Sequence, residues 1–374
     1  MARRTEMPIT HGVLLWAVAE SGMSSAEVSN AAGVEEAEFE AWLQGEAKPS
    51  MTQLRRVATK LHRQVAVFLL PRPPERPPAQ VQFRHPIGAQ RGRELNPVER
   101  RFLRRAKRLQ DAQAWLVPEL DRDRSDIQPL PLSTSPTDVA RTWRVRTSVS
   151  LESQLGWRSA SIAFDAWRAA VEAAGVTVVQ LSMGGESCRG FSLWHDWAPL
   201  VAVNTAWSDE ARIFTLFHEL GHLITRTNSA CAAAALTSDA GDTTERWCEA
   251  FAAAVLIPAA ALSHVDRVNS LAALSDLARR LKVSLRATAI RLIELSKASW
   301  SLYEDIPPIS DSKKKGGGGT GRSRREIRED EFGHRTTEIF VSAVQRDIIS
   351  QSQALDYLDI PSSEFERLTT MPGR

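Results

Sequence analysis

FTLFHELGHLI, residues 214–224, is the stretch whose reading decides the fold. Ahead of it, Ser208 followed by Asp209 and Glu210 makes a good helix start, a hydroxyl cap with acids in the first turn. Ile213, Phe214, Leu216, Phe217, Leu220 and Leu223 then supply a wide apolar face. On such a helix His218 and His222 lie one turn apart and project the same way, so their ring nitrogens can converge on one ion. Glu219 beside them is placed to touch a ligand of a metal rather than the metal. This is the arrangement a zinc hydrolase needs. The competing readings are two satisfied core histidines or a structural zinc; chance places HExxH in roughly one chain in a hundred of this histidine content. Gly221 inside the helix costs ~1 kcal/mol relative to alanine, so close packing is expected there.

A catalytic zinc takes three protein ligands and a water, so a third ligand is needed. GDTTERWCEAFAAAVLIP, residues 241–258, reads as a second helix starting near Asp242 and ending at Pro258. It offers Glu245 and Glu249, four apart on one face, and spacing alone does not choose between them. Cys248, on the apolar side of that helix, is expected in the core. His11, His62, His85, His264 and His334 lack partners at metal spacing.

With 374 residues, the chain is long enough for two or three domains. A content of 43% hydrophobic and 25% charged residues is that of a soluble globular protein, and no apolar run approaches the ~20 residues of a membrane span. Three scattered cysteines do not make a disulfide framework, and no secretory signal is visible, so a cytoplasmic location is expected. Net charge is only +2, but Arg84 to Arg108 carries nine Lys/Arg against two Glu. That segment could meet phosphates or an acidic partner, or form a solvated helix face.

The expected organisation is a helix-turn-helix domain over residues 1–70, a Pro-rich linker and long basic helix over 71–150, and an α+β domain with following helices over 151–305. A flexible Gly- and Lys-rich linker over 306–325 and a helical C-terminal region over 326–374 complete it. In the first segment Ser24 or Ser25 is a plausible cap, Gly33 a turn, and Pro49-Ser50 the restart of a helix. The basic helix, Val98 to Leu116, carries an apolar stripe of Phe102, Leu103, Ala106, Leu109 and Ala112. GVTVVQLS, RGFSLWHD and PLVAVNT read as three strands of a small antiparallel sheet.

WLQGEAKPSMTQL resembles the lambda-repressor-like helix-turn-helix domains. FTLFHELGHLI followed by ERWCEAFAAAVLIP resembles the ImmA/IrrE family of metallopeptidases, and the likeness extends over most of the chain, with 150–300 the most specific part. The resemblance implies a zincin-like minimal protease fold with Zn2+ held by His218, His222 and Glu245, while Glu249 falls where the family usually has Asn. It implies Glu219 as the general base, and a regulatory endopeptidase that cuts a transcriptional repressor in a stress response or mobile element. Substrate peptides in zincin-like folds add as a strand to a sheet edge, here Arg189–Leu193 or Leu200–Asn204. His195 and Arg189 are candidates for stabilising the oxyanion. The alternative is a DNA-binding regulator whose zincin-like domain is a scaffold or sensor.

The first segment is poorly charged for DNA. Residues 8–70 hold five Lys/Arg and seven Glu, with Glu35, Glu36, Glu38 and Glu40 on the expected recognition helix. Phosphates repel carboxylates there. The expected partner is a protein, such as the helix-turn-helix of a repressor. A gel shift with residues 1–75 and genomic DNA fragments at low salt is expected to show no specific complex; a tight one would reverse this reading.

Overall fold

The computed structural model describes residues 6–74, 82–84, 95–226, 239–307, 324–358 and 360, with backbone alone at 82–84, 239–242 and 324–329. The chain divides into two compact units, Met1–Ala79 with Arg93–Arg105, and Gln80–Gly92 with Ala106–Arg374. The expected linker after Ile306, the stretch containing Cys231, His85 and the residues beyond 360 lie outside the described residues.

Helices α1 (His11–Ser21), α2 (Ser25–Ala32), α3 (Glu36–Gln44) and α4 (Met51–Lys60) build the first unit. Ser24 and Ser50 each close a capping box, with Glu27 and Gln53 reaching back to the cap nitrogen, so two helix starts are fixed by local sequence. Gly33 ends α2 at φ +73°, a conformation side chains resist. Leu14, Val28, Phe39, Trp42, Leu54, Leu61 and Phe68 close the core. Glu35, Glu36 and Glu38 are exposed at the start of α3.

Helix α5 (Pro97–Glu119) begins in the first unit and continues into the second. Its apolar stripe is buried as read from the sequence. Several of its cations are used within their own unit. Arg104 donates to the carbonyls of Glu20 and Leu61 at 3.4 and 3.5 Å, and burial lowers its pKa to about 10, helped by nearby Arg63. Lys107 pairs with Asp111 at 2.9 Å, one turn on.

The second unit is organised on a four-stranded sheet of β1 (Gln82–Arg84), β2 (Thr177–Leu181), β3 (Gly190–Leu193) and β4 (Leu200–Asn204), in the order β1-β3-β4-β2. The expected all-antiparallel sheet is corrected. β3 and β4 form an antiparallel pair, but β2 runs parallel to β4. The reason is that the chain leaves β2, forms the β3–β4 pair and returns β4 beside β2 rather than β3. The fourth strand comes from the linker, where no apolar periodicity marks it. β2, β3 and β4 are buried at every position, and Gln180 on β2 donates to the carbonyl of Asp330 at 2.8 Å. That contact ties down α13 (Arg324–Gln345), which packs along β2.

Helices α6 (Pro136–Arg146), α7 (Leu151–Gly156) and α8 (Ala160–Ala173) precede the sheet strands, and α9 (Asp209–Thr225) and α10 (Asp239–Leu256) follow them. Phe164 and Trp167 of α8 join Val178, Val201 and Val203 of the sheet and Leu216, Phe217 and Leu220 of α9 in one core. Phe251 and Val255 of α10 extend it, and α11 (Leu271–Leu281) and α12 (Leu285–Glu294) close it with Leu274, Leu281 and Leu292. Gln154 bridges layers, its amide donating to the carbonyls of Leu256 and Leu281 at 2.8 and 3.1 Å. Gly190 is where the sheet touches α9. A Cβ there would sit 2.5 Å from Thr215 Cγ2 and 2.6 Å from the Ala202 carbonyl. Gly190→Ala is therefore expected to lower stability by roughly 1–3 kcal/mol. Gly156→Ala, where nothing lies within 4 Å, should be near neutral; urea denaturation of the two variants checks the contrast.

Candidate metal centre

Ser208 caps α9, its hydroxyl accepting from the amide of Ala211 at 3.3 Å. From Ile213 to Ile224 the helix is buried except at Phe214, so its orientation in the core is fixed by packing all round. Gly221 faces α10. A Cβ on it would meet Cys248 Sγ at 3.0 Å and Cys248 Cα at 3.2 Å, so the absence of a side chain lets the two helices approach. This is the close packing expected of a glycine inside a helix.

That approach brings Glu245 of α10 to the histidines of α9. Its carboxylate lies 3.2 Å from His218 Nε2 and 3.4 Å from His222 Nε2, and the two Nε2 atoms are 3.2 Å apart. A tetrahedral zinc with bonds of ~2.0–2.1 Å needs its donors ~3.3–3.4 Å from one another. The three separations therefore suit one zinc ion, with two imidazoles and a carboxylate as its donors. Both histidines are buried and Glu245 is partly open, which leaves one side for water or substrate. Burial alone would raise the Glu245 carboxyl, but hydrogen bonds from His218 and His222 hold it well below the usual carboxylate range. Burial opposes charge on His222 as well, and there the neighbouring Cys248 and Glu245 outweigh it and raise the imidazole. Without a cation the cluster thus holds protons that a metal would have to displace.

Glu219 is fully buried beside this triad and does not join it. Its Oε2 accepts a hydrogen bond from Ser192 Oγ of β3 at 2.9 Å. Sequence reading missed Ser192. Its only signal is position, two residues after Gly190 on the strand that crosses α9. Glu249 is exposed, and of the two candidate acids on α10 it is Glu245 that lies against the histidines. Cys248 is buried, and burial raises its thiol.

Arg189 lies with its guanidinium 4.4 Å over the Trp207 ring, and His195 accepts a bond from the amide of Trp197 at 3.1 Å. His11, His264 and His334 are exposed, and His62 lies 3.3 Å from Arg101; none joins a metal-like cluster among the described residues.

Residues 171–293 match the family model Peptidase_M78, the IrrE N-terminal-like domain. The match runs from the end of α8 through β2, β3, β4, α9 and α10 to α12, so it contains the whole triad, and it supports kinship with the ImmA/IrrE family and a metallopeptidase in general. No curated protein and no solved structure matches the chain.

Elemental analysis gives a direct reading of the triad. His222→Ala and Glu245→Ala are expected to lose zinc, while Glu249→Ala keeps the stoichiometry of the unaltered chain. The sign of the pH dependence follows from His222, which must be neutral to ligate. Apparent zinc affinity should fall by about tenfold per unit as pH drops below its raised value.

Proposed function

We propose that the chain is a site-specific zinc endopeptidase of the ImmA/IrrE type, acting on a transcriptional repressor. The observation that supports this most is the pairing of a zinc-compatible His218–His222–Glu245 triad with a second, separately held carboxylate, Glu219. A structural zinc site uses its ligands alone and has no need of an additional buried acid beside them. A hydrolase does need one.

Zinc, when bound, supplies the Lewis acid that polarises the scissile carbonyl and makes water acidic enough to lose a proton near neutral pH. The rest falls to the chain. Glu219 takes the proton of the attacking water and passes it to the leaving amine. Ser192 holds one oxygen of that carboxylate, so the other stays aimed during both transfers. The close approach of α9 to α10 supports the placement of Glu245 beside His218 and His222. No helix of the described residues is long and apolar enough to cross a membrane.

The acidic, exposed start of α3 favours a protein partner over DNA for the first unit, in keeping with a module that presents the repressor for cleavage. Its complement would be a basic surface, such as a DNA-reading helix.

Co-expression with the repressor encoded nearest to this chain tests the reading. A shortened repressor is expected with the unaltered chain and not with Glu219→Gln, which should keep its zinc and lose roughly 10²–10⁴ in rate. Ser192→Ala should also keep zinc and slow cleavage by roughly 10- to 100-fold, the worth of one hydrogen bond to a charged group. Cleavage that persists in the Glu219→Gln chain would end the proposal.

A further inference from the structure

The outer edge of a β-strand is a row of unpaired amide and carbonyl groups that accepts an extended peptide. In this sheet the edge that matters is that of β3. Gly190 lies over α9 with its missing Cβ only 3.6 Å from Glu219 Cγ, and Ser192 bonds the Glu219 carboxylate. A peptide added along β3 would run past both residues. The alternative expectation, Leu200–Asn204 as the receiving edge, is corrected, because β4 lies between β3 and β2 and has no outer edge.

The edge of β3 is already taken. β1 pairs with it antiparallel, placing Gln82 opposite Ser192, Phe83 opposite Phe191 and Arg84 opposite Gly190. The three residues of β1 therefore lie along the same stretch of β3 that contacts Glu219. We propose that Gln82–Arg84 is a cis-acting strap: it holds the strand position that a substrate needs, and substrate binds only when the strap leaves. The identification of that position as the substrate's rests on the peptidase reading; the displacement itself does not.

The strap is built to be displaced. Among the described residues it has three, against ~5–6 in an ordinary strand, so the described pairing contributes few main-chain hydrogen bonds. In the sequence Pro78 and Pro86 flank it, and proline has no amide to donate to a ladder. What favours its occupancy is that it belongs to the same chain, which gives a covalently attached segment an effective concentration on the order of millimolar. A free peptide must compete against that concentration, whereas a substrate that pairs over more residues, or one delivered by a second contact, overcomes it. A permanent edge strand that only blunts the sheet edge makes the opposite prediction, since removing it would weaken the fold without exposing a peptide site.

The test uses the full chain carrying Glu219→Gln, so that binding is read without cleavage. A second chain adds Gln82→Gly, Phe83→Gly and Arg84→Gly. The probe is a fluorescein-labelled peptide of residues 79–87, AQVQFRHPI, followed by anisotropy. The triple-glycine chain is expected to bind it at least tenfold more tightly than the chain with its strap. The same peptide carrying Phe83→Pro should bind neither. Equal affinities, or no binding by a triple-glycine chain that keeps its zinc and melting temperature, would overturn the strap. If the triple-glycine chain fails to fold, hydrogen exchange on the strap-bearing chain decides. Saturating peptide should speed exchange of the amides of 82–84 while those of 190–193 stay protected, and unchanged exchange at 82–84 would overturn the proposal. Because no arm measures hydrolysis, a failed strap and a failed peptidase reading give different results.

Discussion

The contact between Gly221 and Cys248 sets the distance between α9 and α10, and the site depends on that distance. His218 and His222 are aligned by helical geometry alone, but two imidazoles make half a site. Glu245 completes it only because nothing larger than a hydrogen atom stands between the helices at the crossing. The helix gives up ~1 kcal/mol of intrinsic propensity at this glycine and gains a position for a ligand from a neighbouring element. The buried face of α9, packed on Trp167 and the valines of the sheet, then resists any slide that would open the triad.

The same helix separates two tasks that use the same kind of group. Glu245 touches both histidines and is pulled towards its charged form by them, whereas Glu219, one residue from His218, points to the sheet and is held by Ser192. Two carboxylates with different partners suit two roles, one as a metal ligand and one as a base. In the proposed reaction the sheet is thus more than a platform. β3 carries the hydroxyl that aims the base, and its outer edge carries the strand position along which a peptide would lie.

Local features of this fold were legible in the sequence. The Ser208 cap, the apolar face of α9, the Ser24 and Ser50 starts and the stripe of α5 follow from neighbours within four residues, and each is found where the pattern puts it. The packing at Gly221 was legible too, as a cost that needed a reason. What the sequence could not give depends on separation. Ser192 and Glu219 are 27 residues apart, and only the sheet's register joins them. Glu245 and Glu249 share a helix face, and only the crossing point of α10 on α9 leaves the second exposed. The parallel pairing of β2 with β4 and the capture of β1 from a proline-rich linker are decisions of topology, and neither alternation nor composition marks them.

The account stands on zinc bound by two imidazoles and one carboxylate. X-ray absorption at the zinc edge of the purified full chain tests this most directly. It should show only nitrogen and oxygen neighbours at ~2.0–2.1 Å, with the outer-shell scattering of two imidazole rings. A sulfur neighbour at ~2.3 Å, which would bring in Cys248, or a spectrum with no imidazole scattering, would contradict it.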